Sequence, residues 1–268
     1  MSATSSPDDR AQRVLEQLPA AVPGTVVIGG WASWLRTHGA RSHDVDLIVE
    51  WDQLQAISEH ARVERSTARH AGATKWVGEW DGVHLDLYVP FQSRLGTKLE
   101  LRVETLVQYT EQIDNHRVLS IPAQTAAKWA ALVDRVGTTR GAKDREEVIE
   151  LLANPEAQST AKILHEASAK SAAAVNEAIS EGFAYLQATA PRAQRRQLAQ
   201  MQTAWLPSSP EQPTPPATQA GGLPKPGGAT RRSTARSSTR ERGRSAPASA
   251  GDPTPPPENP ARGHGLGL

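Results

Sequence analysis

A chain of 268 residues is long enough to bury a sizeable core in one or two domains, and its formal net charge of +1 gives no general attraction to nucleic acid. Cysteine is absent, which excludes disulfides and thiolate metal sites and points to a reducing compartment. No apolar run reaches membrane-spanning length and the start, MSATSSPDDR, lacks the basic and apolar blocks of a signal peptide, so a cytoplasmic protein without a membrane partner is expected.

The first segment, 1–120, alternates strand-like and helix-like stretches. Asp8 to Leu18 predicts an opening helix, and Thr25 to Ile28 a short β-branched strand that Gly29-Gly30 interrupts. Trp31 to Thr37 reads as helix, Asp44 to Glu50 as strand and Asp52 to Ala61 as helix. Lys75 to Trp80 and Val83 to Val89 flank Asp81-Gly82, a two-residue hairpin signal, and a further strand is expected around His116 to Ile121. From Pro122, where a first helical turn would begin, the segment 121–206 is Ala-rich with apolar spacings of three and four. It predicts packed helices broken near Gly137 to Gly141, Asn154-Pro155 and Pro191. The fold class expected is therefore α+β: a small mixed sheet followed by a helical region.

The last segment, 207–268, is dominated by Pro, Gly, Ser, Thr and Arg, has too few large apolar residues to offset the entropy of ordering, and is expected to be disordered. Lys225 and seven arginines face four acids there, leaving the tail at +4 and the body near −3. The run TRRSTARSSTRERGR (Thr230 to Arg244) is either a solubilising tail or an electrostatic contact for an anionic partner.

The chemistry concentrates in VVIGGWASWLRTHGARSHDVDLIVE, residues 26–50. Strand side chains alternate faces, so Asp44 and Asp46 point one way while Val45, Leu47 and Val49 point the other. Two like charges on one face repel, and a divalent cation is the natural compensation. Asp86, in HLDLYV, projects from a third strand opposite Leu85, Leu87 and Val89. A glycine pair at a strand-to-helix junction lets backbone amides approach a phosphate at a helix N-terminus. If the acidic strands are neighbours, three carboxylates meet beside the glycine turn, as two Mg²⁺ ions and a nucleoside triphosphate require.

The pattern GG-W-A, a short helix, R-S-H-D-V-D-L and a later acidic strand resembles the DNA polymerase β-type nucleotidyltransferase superfamily. Downstream, IPAQTAAKWAALVDRVGTTRGAKDREEVIELL (Ile121 to Leu152) is similar to the helical motif that follows the core in toxin nucleotidyltransferases of type IV abortive-infection systems. The similarity covers roughly residues 20–152. It implies that Asp44, Asp46 and Asp86 hold two Mg²⁺ ions, with Mn²⁺ as a substitute, and that Lys128 serves the phosphates. Gly29, Gly30, Arg41, Ser42, Lys143 and Asp144 would complete the nucleotide site, with Asp144 placing either Lys128 or the base. Two departures stand out: His43 separates Ser42 from the first acid, and Gly30 replaces the serine of some subfamilies. Neither removes a metal ligand.

The resemblance implies a transferase that moves a nucleoside monophosphate from an NTP to an acceptor, in first place RNA at the 3′ end of tRNA, as a toxin held by a cognate antitoxin. The alternatives are nucleotidylation of a small molecule or protein, and a non-catalytic binding module of the same fold. Plainer roles exist for single residues: Lys128 as a surface lysine, Asp144 as a first-turn helix acid, His84 in packing rather than near the metals. Trp31, Trp34 and Trp129 are expected in the core, with base stacking by Trp31 as the alternative. The Arg65–His70 spacing matches a nuclease motif but falls in a polar stretch inside the core and carries no role.

Overall fold

The computed structural model describes residues 6–67 and 74–206. The tail 207–268 and His70 of the Arg65–His70 pair lie outside the described residues. The opening helix α1 (Pro7–Ala21) is capped by Ser6, whose hydroxyl accepts from the Asp9 amide at 3.1 Å, and buries Ala11, Val14, Leu15 and Leu18. Then come β1 (Val26–Ile28), α2 (Gly29–Thr37), β2 (Val45–Ile48) and α3 (Trp51–Ile57). The next strands are β3 (Arg62–Arg65), β4 (Trp76–Trp80) and β5 (Val83–Tyr88). Asp81 and Gly82 join β4 to β5 with φ of 50° and 74°, the paired left-handed conformation that a tight hairpin needs.

A two-stranded ribbon, β6 (Arg94–Leu95) with β7 (Leu101–Arg102), leads through α4 (Val103–Leu106) to the hairpin β8 (Thr110–Ile113) and β9 (His116–Leu119). The main sheet has the order β3-β4-β5-β2-β1-β9-β8. It is mixed: β2 runs antiparallel to β1 and parallel to β5, and β1 runs parallel to β9.

The helical region comprises α5 (Ile121–Asp134), α6 (Thr139–Leu152), a 3₁₀ turn at Pro155–Ser159, α7 (Thr160–Ala167), α8 (Ala172–Thr189) and α9 (Arg192–Trp205). Between α7 and α8 lies a break that the sequence pattern does not mark, where the Ser168 hydroxyl donates to the Leu99 carbonyl at 2.6 Å. None of the helices among the described residues is long and apolar enough to cross a membrane.

Strand alternation decides where everything else packs. Val45, Leu47 and Val49 join Leu85, Leu87 and Val89 in a core closed by α1, α2 and α3. Ile48 points to the other face with Val26 and Ile28, into a second core built from the helical region. Asp46, two residues before Ile48, shares that second face, so α5 and α6 lie over the acids. One face of the sheet and the helical region share this second core, and the described residues belong to one compact unit.

The helical region is locked by Trp129, Phe183 and Trp205, whose ring centroids lie 4.7 to 5.2 Å apart, all fully or nearly fully buried. Gly182 is required there because a Cβ would fall 2.4 Å from the Trp129 ring. Trp129→Ala should cost about 3–5 kcal/mol in urea unfolding. Gly182→Ala should cost about 1–3 kcal/mol by overpacking. Unchanged midpoints in both would contradict this account of the helical core.

Candidate active site

Asp46 and Asp86 are directly paired in the parallel register of β2 with β5. Their carboxylates therefore project side by side from the face that the helical region covers. Asp44 lies just before β2, exposed, and close enough for its charge to act on Asp46. The register brings two of the three expected acids together, and Asp44 reaches Asp46 through its charge. Even so, no group of three or more His, Asp or Glu side chains is gathered to hold a metal among the described residues.

Gly29 opens α2 with φ of 66°, a conformation that favours glycine. A Cβ at Gly29 would lie 2.0 Å from Asp46 Oδ2, so the missing side chain makes room for the acid. The Gly29 carbonyl is held by Gln124 Nε2 at 2.9 Å and by the Ser33 hydroxyl at 3.3 Å. Gln124 is fully buried on α5, so the helical region fixes the turn. A Cβ at Gly30 would lie 2.9 Å from Ser42 Cβ and 3.9 Å from Lys143 Nζ. The turn is thus a floor of bare backbone between an acid and a lysine.

A cavity of about 720 Å³ opens over this floor, within the range of small-molecule sites. Gly29, Gly30, Arg41, Ser42, Asp44, Asp46 and Asp86 line one wall. Lys128 of α5 and Lys143 and Asp144 of α6 line the opposite one. Arg41 is tied back to Asp9 at 3.0 Å and lies 5.9 Å from the Trp34 ring centroid. Trp31 is wholly buried in the first core, which excludes base stacking; Trp34 packs edge-on against it at 5.2 Å.

Lys128, only 11% exposed, lies 3.9 Å from Asp144 and is held more closely by Glu147. Asp144 in turn accepts from Arg135 Nη1 at 3.1 Å. Glu147 was not singled out in the sequence, although it sits four residues after Lys143 and three after Asp144, on one helix face. Lys75 was missed as well. Its Nζ lies 2.6 Å from Asp86 Oδ2, while His84 Nε2 lies 3.0 Å from Oδ1. Arg135 and Arg140 add positive charge at the cavity and carry no motif of their own.

Burial in the cleft, followed by the neighbouring charge of Asp86, pushes the Asp46 carboxyl up to about 6. Part of its surface opens to the cavity, but protein surrounds it. Tyr88, beside the acids, is raised well above the usual phenol value, chiefly by burial. A hard cation at Asp46 would relieve both effects, and carboxylate oxygens are the donors that Mg²⁺ prefers. The cavity beside Asp46 and a carboxylate that, among the described residues, accepts no hydrogen bond fit such an ion.

No family model matches the chain, and no curated protein matches it. Among solved structures it is similar to a candidate nucleotidyltransferase from H. pylori, at 11% identity and a TM-score of 0.40, over 75% of this chain and 94% of that one. It is similar also to an antigenic nucleotidyltransferase-like protein from Paracoccidioides brasiliensis, at 15% identity and a TM-score of 0.37, over 73% and 91%. A candidate nucleotidyltransferase from Thermotoga maritima matches at 19% identity and a TM-score of 0.36, over 44% and 82%. At these levels the chemistry has to be argued from the residues of the site.

The raised Asp46 carboxyl makes the folded protein bind more protons than the unfolded chain between pH 4 and pH 6. Its contribution to stability therefore falls as pH rises through that window. In chelator, Asp46→Asn should melt at a higher temperature than wild type at pH 8, and the gap should close near pH 4. A gap independent of pH, measured by thermal unfolding, would contradict the strained ionised carboxylate.

Proposed function

We propose that the protein is a metal-dependent nucleotidyltransferase that moves a nucleoside monophosphate from an NTP to the 3′ end of an RNA acceptor, tRNA in first place. The observation that carries the reading is the in-register pair Asp46–Asp86 beside the glycine turn, with Lys128 and Lys143 across the cavity. A triphosphate needs backbone amides it can approach, a cation and fixed positive charge, and each has a source on these walls. Asp44 and Asp46, with Asp86 beside them, would hold Mg²⁺ or Mn²⁺. When bound, the ion supplies charge to the entering and leaving oxygens.

The acceptor hydroxyl oxygen attacks the α-phosphorus, the new O–P bond forms, and the bond to the bridging oxygen breaks to release pyrophosphate. Asp86 orients the hydroxyl and takes its proton. Lys128, oriented by Glu147 and Asp144, offers a point charge to the phosphates. Asp144 therefore acts through Lys128 in this reading. Lys143 and Arg41 flank the glycine floor, where phosphate oxygens would lie.

The RNA acceptor rests on the similarity of the Ile121–Leu152 stretch to toxin enzymes and on the basic rim of Arg135, Arg140 and Lys143. A toxin of this kind, acting in the cytoplasm, would be held by a cognate antitoxin.

Incubation with each labelled NTP, Mg²⁺ and total RNA should label RNA. Asp46→Asn and Asp86→Asn should each lower the rate by about 10²–10³-fold or more, the scale of losing a group that stabilises transition-state charge. Gly29→Ala should do the same by driving a methyl group into the Asp46 carboxylate. Label in protein or a small molecule, with RNA untouched, would move the acceptor. Absence of any Asp46-dependent transfer would contradict the enzyme.

A further inference from the structure

The two paired acids differ in their partners. Among the described residues no hydrogen bond relieves Asp46, on which burial and nearby charges act. Asp86, by contrast, has both oxygens engaged, one by Lys75 at 2.6 Å and one by His84 at 3.0 Å. Lys75 and Asp86 are each only 18% exposed, so their pair belongs to the cavity wall rather than to the solvated surface. The placement follows from strand register. Val77 pairs with Asp86 and Trp76 with Leu87, which sets Lys75 on the acid face next to Tyr88 and diagonal to Asp86. The Lys75 ammonium also lies 5.8 Å from the Tyr88 ring centroid, a second attractive contact.

We propose that Lys75 occupies the second cation position of this site, so that the enzyme works with one divalent ion at Asp44 and Asp46 and a fixed ammonium on Asp86. The inference rests on the nucleotidyltransferase reading above. A second ion at Asp86 would have to displace a largely desolvated ion pair and leave Lys75 unpaired in the wall. An ammonium has three donors. One faces Asp86, and another would hold the entering oxygen of the acceptor. Lys75 then supplies, at a single charge, the electrostatic role that a second ion has in two-metal sites.

The test is the electron paramagnetic resonance spectrum of the protein with MnCl₂ and the α,β-methylene analogue of each NTP in turn, protein in excess over analogue. Two Mn²⁺ ions about 3.5–4 Å apart couple magnetically, whereas a single ion gives the hyperfine pattern of an isolated centre. Wild type should give the isolated pattern. Lys75→Met should admit a second ion and give the coupled one. A coupled spectrum from wild type overturns the inference and leaves the transferase reading intact. So does an isolated spectrum from folded Lys75→Met. Absence of protein-bound Mn²⁺ in wild type overturns both. Because the wild-type spectrum alone separates one ion from two, failure of Lys75→Met to fold does not spare the inference.

Discussion

Two carboxylates held side by side on adjacent parallel strands are the constraint on which this structure turns. Neighbouring strands lie just under 5 Å apart, and two unit charges at about 5 Å repel by roughly 3 kcal/mol at an effective dielectric constant near 20. The protein relieves that repulsion unequally. Asp86 is ion-paired with Lys75 and contacted by His84, whereas among the described residues Asp46 forms no ion pair or hydrogen bond and its carboxyl is raised to about 6. A fold that retains such a buried charge stores electrostatic strain at one atom group, and a bound cation is the simplest agent to release it.

The surroundings serve that constraint from three directions. The sheet contributes the register, since the apolar partners of each acidic strand fill the core on the opposite face. The glycine turn contributes space, because any side chain at Gly29 would occupy the position of the Asp46 carboxylate. The helical region contributes the ceiling: α5 carries Gln124 to the turn and Lys128 to the cavity, and α6 carries the acids that hold Lys128. The aromatic cluster of Trp129, Phe183 and Trp205 keeps α5 in place, so packing far from the acids sets the geometry next to them.

Alternation in DVDLIVE and VHLDLYV was enough to locate the central strands and assign their faces, because one face of each is wholly apolar. Of the main sheet, the strands that the pattern did not reveal, β3 (RVER) and β8 (TEQI), are the two edges, and the short ribbon β6–β7 was not revealed either. Edge strands carry polar and charged side chains, which removes the periodicity that betrays a strand. The positions of Gly29, Asp46 and Lys128 around one cavity were legible through spacing and resemblance. Lys75 was not, since its contact is diagonal across a hairpin and depends on a register that composition does not encode. Glu147 could have been found from its helical spacing to Lys143 and Asp144. Arg135 and Arg140 come to the cavity only through the angle between α5 and α6, which no local pattern specifies.

If the acidic pair is a cation-assisted triphosphate site, binding of nucleotide and metal must depend on each other and on Asp46. Isothermal titration calorimetry with non-hydrolysable analogues of the four NTPs measures this directly. The account predicts binding of at least one analogue in Mg²⁺ that is lost in chelator and lost in Asp46→Asn. Equal affinity with and without Mg²⁺, unchanged by Asp46→Asn, would contradict it.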